Sequence, residues 1–167
     1  KSSNDTWTIS NNFIHNCAVG WYATPYVTTV AHNQDNHKVY NNVITNSTDI
    51  AILIYSATGS HADNAEIYNN TIVSNVSSAA GISISNGANF KVFNNIIQGT
   101  SNKQMTFAYE DYYTIAESDY NQWGTSALTI QTHLYGTDYH AYTSLSSWQA
   151  STELAGGGHP GTGDLTS

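Results

Sequence analysis

Residues 36–44 read Asn36-His37-Lys38-Val39-Tyr40-Asn41-Asn42-Val43-Ile44, and three further stretches align with them without gaps. They are Thr6-Trp7-Thr8-Ile9-Ser10-Asn11-Asn12-Phe13-Ile14, Asn64-Ala65-Glu66-Ile67-Tyr68-Asn69-Asn70-Thr71-Ile72 and Asn89-Phe90-Lys91-Val92-Phe93-Asn94-Asn95-Ile96-Ile97. A fainter fifth copy is Ser118-Asp119-Tyr120-Asn121-Gln122-Trp123. The second asparagine of the pair falls at Asn12, Asn42, Asn70 and Asn95, and Asn121 follows, so the steps are 30, 28, 25 and 26 residues. Self-similarity at such a period marks a repeat architecture.

Each unit reads as short strands. Ile9, Val39, Ile67 and Val92 sit two residues from polar or aromatic neighbours, the period of a strand. A second strand follows each asparagine pair by roughly ten residues, as in Ile52-Leu53-Ile54-Tyr55, Gly81-Ile82-Ser83-Ile84-Ser85 and Met105-Thr106-Phe107-Ala108. A unit this small cannot bury its own apolar side. It does so by winding, so that each strand pairs in parallel with its copy one turn later. The expected fold is all-β, a parallel β-helix of about four to five coils with strands roughly 4.8 Å apart and a short helix near the C-terminus. The inward rows are Ile9/Val39/Ile67/Val92, Ile14/Ile44/Ile72/Ile97 and Ile52/Ile82/Met105. The asparagine pair suits the turn, because asparagine tolerates the left-handed region. Stacked asparagine side chains, Asn12 over Asn42, Asn70 and Asn95, can bond one another along the axis as a ladder.

The phrase x-Ile-Tyr-Asn-Asn-x-Ile and the run Gly81-Ile82-Ser83-Ile84-Ser85-Asn86-Gly87-Ala88-Asn89 resemble right-handed parallel β-helix repeat proteins of the pectate-lyase-like superfamily, over about residues 6–123. The resemblance is specific for fold. The superfamily holds polysaccharide lyases, glycoside hydrolases and pectin esterases beside binding and structural modules. The tail, 124–167, with Ser144-Leu145-Ser146-Ser147-Trp148-Gln149-Ala150, resembles the C-terminal part of secreted members, where a short helix precedes final coils. The whole of 1–167 is read as a single domain, expected to be part of a longer chain. Read directly, Ser144 or Thr143 can cap that helix, with Leu145 and Trp148 on one face.

Composition narrows the function classes. All four basic residues are lysine, none is arginine, and the net charge is −8. Such a chain is a poor partner for phosphate backbones, so nucleic acid is not expected. No apolar run reaches the roughly 20 residues of a membrane span. Asn, Ser and Thr make up 58 of 167 residues and carry the polarity that charge does not. Cys17 stands alone and reads as a small buried side chain. Four sequons occur, at Asn4, Asn46, Asn69 and Asn75, which points weakly to an extracellular or cell-surface protein. Asn46 and Asn75 fall in variable loops and are the ones expected to carry glycan, whereas Asn69 belongs to the turn pair and its amide is expected in the ladder.

Candidate chemistry is sparse. A lyase of acidic sugars needs a base and cations that these residues supply poorly. A hydrolase needs two carboxylates facing one groove. Glu110, Asp111, Glu117 and Asp119 form the acidic cluster; it reads first as a solvated loop with turn-forming aspartates, and Glu110, Asp111 and Asp119 are the weak catalytic candidates. His32 and His37 flank Asp35, a weak transition-metal pattern. Asp5, Asp35 and Asp63 share one repeat position. Each can cap its own turn, or Asp35 and Asp63 can hold a Ca²⁺ ion with loop carbonyls. Tyrosine, at 12 residues, is the more informative feature. Sugars stack on exposed rings, so Tyr40, Tyr68, Phe93, Tyr22 and Tyr55 are the candidate carbohydrate-binding residues, while Trp123 and Trp148 read as core. Lys38, Glu66 and Lys91 are expected beside the first three as a column of alternating sign. Two functions follow: a module that binds or acts on polysaccharide, or a structural module of a fibre or adhesin that self-associates through its ends or faces.

Overall fold

A computed structural model describes residues 6–23, 35–56, 60–74, 80–99, 103–124, 129–134, 138–151 and 160–166. Its first strands are β1 (Thr8–Ser10), β2 (Phe13–His15), β3 (Val19–Ala23), β4 (Lys38–Tyr40), β5 (Val43–Thr45) and β6 (Ile50–Ile54). Then come β7 (Glu66–Tyr68), β8 (Thr71–Val73), β9 (Ala80–Phe93), β10 (Ile96–Gln98), β11 (Lys103–Asp119) and β12 (Gln122–Trp123). The last are β13 (Ile130–Leu134), β14 (Asp138–Tyr142), α1 (Leu145–Gln149) and β15 (Leu165–Thr166).

The strands wind into a parallel β-helix with three walls. One wall stacks β1, β4, β7 and the ends of β9 and β11. A second stacks β2, β5, β8, β10, β12 and β15. The third stacks β3, β6, the beginnings of β9 and β11, and β13. Registers follow the repeat: Ile9 lies beside Val39, Ile67 and Val92, and Ile14 beside Ile44, Ile72, Ile97 and Trp123. Trp21, Ile52, Ile82, Met105 and Ile130 form the third row. Every member above the first coil is fully buried. Each such aliphatic side chain stabilises the fold by roughly 1.5–3 kcal/mol relative to exposure.

The regularity is confined to the lower part. The solenoid makes about three turns from short separate strands; above them β9, 14 residues, and β11, 17 residues, run through the corner. This is slightly fewer than the expected four to five uniform coils; the register between β9 and β11 shifts after Ala108 and resumes at Glu117 opposite Lys91. The stretch after residue 123 also supplies wall strands: β13 continues the third wall, β14 pairs with it antiparallel, and β15 re-enters the second. The helix α1 starts at Ser144, whose Oγ accepts the Ser147 N–H at 3.1 Å while its own N–H donates to Ser147 Oγ. Trp123 and Trp148 are both in the core. Cys17 is only half-buried, unlike the expectation, because it follows the corner residue Asn16 on the first coil.

The two asparagines of each pair divide the work at the corner. The first, Asn11, Asn41, Asn69 or Asn94, takes positive φ (60, 55, 55 and 54°). Asparagine tolerates this region better than residues with larger side chains. In the fifth copy Tyr120 holds that conformation, at φ 56°. The second asparagine turns its side chain inward.

Candidate functional site

Those inward amides form one continuous ladder. Asn12 donates its backbone N–H and its Nδ2 to Asn42 Oδ1, at 3.1 and 3.0 Å. Asn42 donates both to Asn70 Oδ1, Asn70 to Asn95 Oδ1, and Asn95 to Asn121 Oδ1, each at 3.0–3.1 Å. The remaining amide protons go to wall carbonyls, such as Val39 and Tyr68 from Asn70. Asn69, expected in the ladder, instead sits exposed in the turn, and Asn70 alone carries the bonds.

The ladder ends on a residue the repeat did not reveal. Asp164 Oδ1 accepts the Asn121 N–H at 2.6 Å and its Nδ2 at 3.4 Å, and Oδ2 accepts Trp123 Nε1 at 2.8 Å. Asp164 is 3% exposed. Burial pushes its carboxyl up to about 6, against the pull of the bonds from Asn121 and Trp123 and with help from the charge of Asp119. The one signal in the sequence is that Asp164-Leu165-Thr166 stands where Asn121-Gln122-Trp123 stood a coil earlier, with the amide replaced by an acid.

The first wall carries the outward side chains that the repeat aligned. Tyr40 and Tyr68 stack with centroids 4.9 Å apart and planes within 5°. Tyr68 and Phe93 stack at 5.0 Å and 2°. Stacking covers both faces of the Tyr68 ring, so at that coil the wall offers a ligand a ring edge and a hydroxyl rather than an open face. Beside the rings, Glu66 lies between Lys38, 3.0 Å away, and Lys91, 3.7 Å away. Lys38 titrates above its ordinary value because of its hydrogen bond to Glu66. Glu117 extends this column, in register with Lys91. Tyr22 and Tyr55 are elsewhere: Tyr22 is 53% exposed on the third wall, and Tyr55 follows β6 with its N–H on the Ala23 carbonyl.

Of the acidic candidates, Glu117 and Asp119 have described side chains. Asp119 Oδ1 accepts the N–H groups of Tyr120 and Gly163, and Oδ2 accepts the Thr162 hydroxyl. It ties the 160–166 segment to the wall. Glu110 and Asp111 belong to β11 where its register shifts, and their side chains lie outside the described residues.

Asp35 and Asp63 each hold a backbone N–H of the next coil. Asp35 Oδ1 accepts the N–H of Asp63 at 3.3 Å, and Asp63 Oδ1 accepts that of Ala88 at 2.7 Å. Each carboxylate reaches one coil up, and the N–H it meets offsets the like-charge repulsion. Asp5, His32 and Asn75 lie outside the described residues. His37 is buried, its Nδ1 accepting the Trp7 N–H at 3.2 Å. Among the described residues no three of His, Cys, Asp and Glu gather as a metal site. Asn46 is exposed at positive φ, its amide on Asn16 Oδ1.

Among the described residues no helix is long and apolar enough to cross a membrane. A family model described as "Right handed beta helix region" matches residues 2–120. No curated protein and no solved structure matches the chain. The repeat, the three parallel walls and the family match agree, and the chain belongs to the right-handed β-helix family.

Proposed function

We propose that this chain is an extracellular β-helix module that binds polysaccharide along its first wall. The observation that carries the reading is the stack of Tyr40, Tyr68 and Phe93 beside Lys38, Glu66 and Lys91. One aromatic edge and one charged head recur per coil, at a spacing close to the length of one sugar unit in an extended glycan. Sugar hydroxyls both donate and accept, which suits tyrosine hydroxyls, ammonium groups and a carboxylate in a row. The wall is flat and its polar groups are at the surface, so it supports binding of an extended chain, and no reaction is assigned to it. The exposed sequon residue Asn46 supports the extracellular location. A glycan array on the intact chain tests this: retention of extended polysaccharides, lost in Lys38→Ala/Lys91→Ala, supports it, and an array without hits removes it.

A structural module of a fibre or adhesin is the second reading. It is favoured by β1, β2 and β3, each of which pairs with a single neighbour among the described residues and so has an edge able to pair with a further strand.

A further inference from the structure

Asparagines at positive φ form a column at each corner of the coil. Asn36, Asn64 and Asn89 stand where the chain enters the first wall, Asn11, Asn41, Asn69 and Asn94 where it leaves it, and Asn16 and Asn46 after the second wall. Two of these columns bond along themselves. Asn89 Nδ2 donates to Asn64 Oδ1 at 3.1 Å, and Asn46 Nδ2 to Asn16 Oδ1 at 3.3 Å. The column leaving the first wall does not. Asn11 turns its amide back to Ser10 Oγ at 3.2 Å, and Asn41, Asn69 and Asn94 are exposed, with no side-chain partner among the described residues.

These open amides directly follow the stacked rings, as Tyr40-Asn41, Tyr68-Asn69 and Phe93-Asn94. They recur once per coil, about 4.8 Å apart. A primary amide offers two donors and a carbonyl oxygen, which suits neighbouring hydroxyls of one sugar.

The charges beside the rings are already matched. Glu66 lies 3.0 Å from Lys38 and 3.7 Å from Lys91. Glu117 stands in register with Lys91, and Asp119 with Phe93. Two ammonium groups on this wall thus meet three carboxyl groups, in a chain of net charge −8. A polymer of uronates would find no surplus of cations here and would meet repulsion instead. Hydroxyls can still accept from the two ammonium groups without breaking their pairing to Glu66.

We propose that the ligand of the first wall is an uncharged polysaccharide, lying along the coil axis between the ring column and the amides of Asn41, Asn69 and Asn94. This inference rests on the reading of that wall as a glycan-binding face and adds the ligand class and a second row of contacts.

A glycan array holding uncharged polysaccharides and polygalacturonate, run on the intact chain at low salt and in 1 M salt, tests it. Uncharged polymers should be retained equally under both conditions, and polygalacturonate under neither. Asn69→Gly keeps the positive φ, which glycine adopts freely, and removes the amide. It should weaken binding of a retained polymer about tenfold, the effect of losing one or two hydrogen bonds. Asn64→Gly, at φ 57° on the other side of the same wall, should leave binding unchanged. Retention of polygalacturonate alone, lost in 1 M salt, would overturn the inference while wall binding stands. Equal affinity of Asn69→Gly and the wild type for a retained uncharged polymer would also overturn it. An array without hits removes this inference and the wall reading together.

Discussion

The backbone N–H of Asn121 meets Asp164 Oδ1 at 2.6 Å, across 43 residues of sequence. A ladder of neutral amides thus ends on a carboxylate that accepts from both Asn121 and Trp123. An acid is a sound terminator, since when ionised it needs no acceptor beyond it.

That placement sets a pH dependence. The folded carboxyl titrates at about 6, above the ordinary aspartate value of roughly 3.9. Between the two, the folded chain holds a proton that the unfolded chain has lost. Stability therefore falls as pH rises through this window, by about 3 kcal/mol in all, and is flat above it for this group. Urea denaturation of the wild type at pH 4 and pH 7 should show that fall. Asp164→Asn should remove most of the slope while losing the bond from Trp123 Nε1.

Ladder rungs should differ by position. Asn70→Ala leaves the buried Asn42 N–H without its acceptor and removes the amide bonds to Asn95 Oδ1 and to the Val39 and Tyr68 carbonyls. Each orphaned buried group costs about 1–3 kcal/mol, so a loss of about 3 kcal/mol or more is expected. Asn12→Ala, at the exposed end, should cost about 1 kcal/mol. Chemical denaturation midpoints of the two variants give the comparison.

Much of this was legible in advance. The asparagine pair recurs beside an invariant strand pattern within this one chain, so period, register and inward rows could be read from Val39, Ile67, Val92 and their row-mates. The outward stack and the charge column followed, because outward residues repeat with the same period. What escaped has physical reasons. Asp164 differs in residue type and comes after a 43-residue excursion, so the period gave no warning of it. Glu117 looked like one of an acidic cluster until the register of β11 set it beside Lys91. Asp35 and Asp63 could be aligned from sequence, but which coil's N–H they accept depends on the direction of the corner. The faces of Tyr40, Tyr68 and Phe93 looked available to sugars; the stack covers both faces of Tyr68 and one face each of Tyr40 and Phe93.

Small residues line one inner column for a steric reason. A Cβ built on Gly20 would lie 2.5 Å from the Ala51 carbonyl oxygen and 2.7 Å from Ile44 Cγ2, and Gly81 meets Gln104 and Ile97 in the same way. Gly81→Ala should destabilise by roughly 1–3 kcal/mol, since the obstruction is backbone. Thermal melts of Gly81→Ala against the wild type will read this.

The ion pairs of Glu66 should matter little to the fold. Lys38 is 45% exposed and Lys91 42%, so Glu66→Gln should cost under about 1 kcal/mol at low salt and nothing measurable in 1 M salt. A larger, salt-independent loss would mean that the column supports the wall itself.

The most direct test of the proposal that the first wall binds glycan is a titration of the chain with a polysaccharide retained on the array, followed residue by residue by NMR. Perturbations should concentrate at Lys38, Tyr40, Glu66, Tyr68, Lys91 and Phe93, and Tyr68→Ser, in the middle of the stack, should weaken binding about tenfold or more with the fold intact. Perturbations confined to Tyr22 and Tyr55 on the third wall, or binding unchanged in Tyr68→Ser, would contradict it.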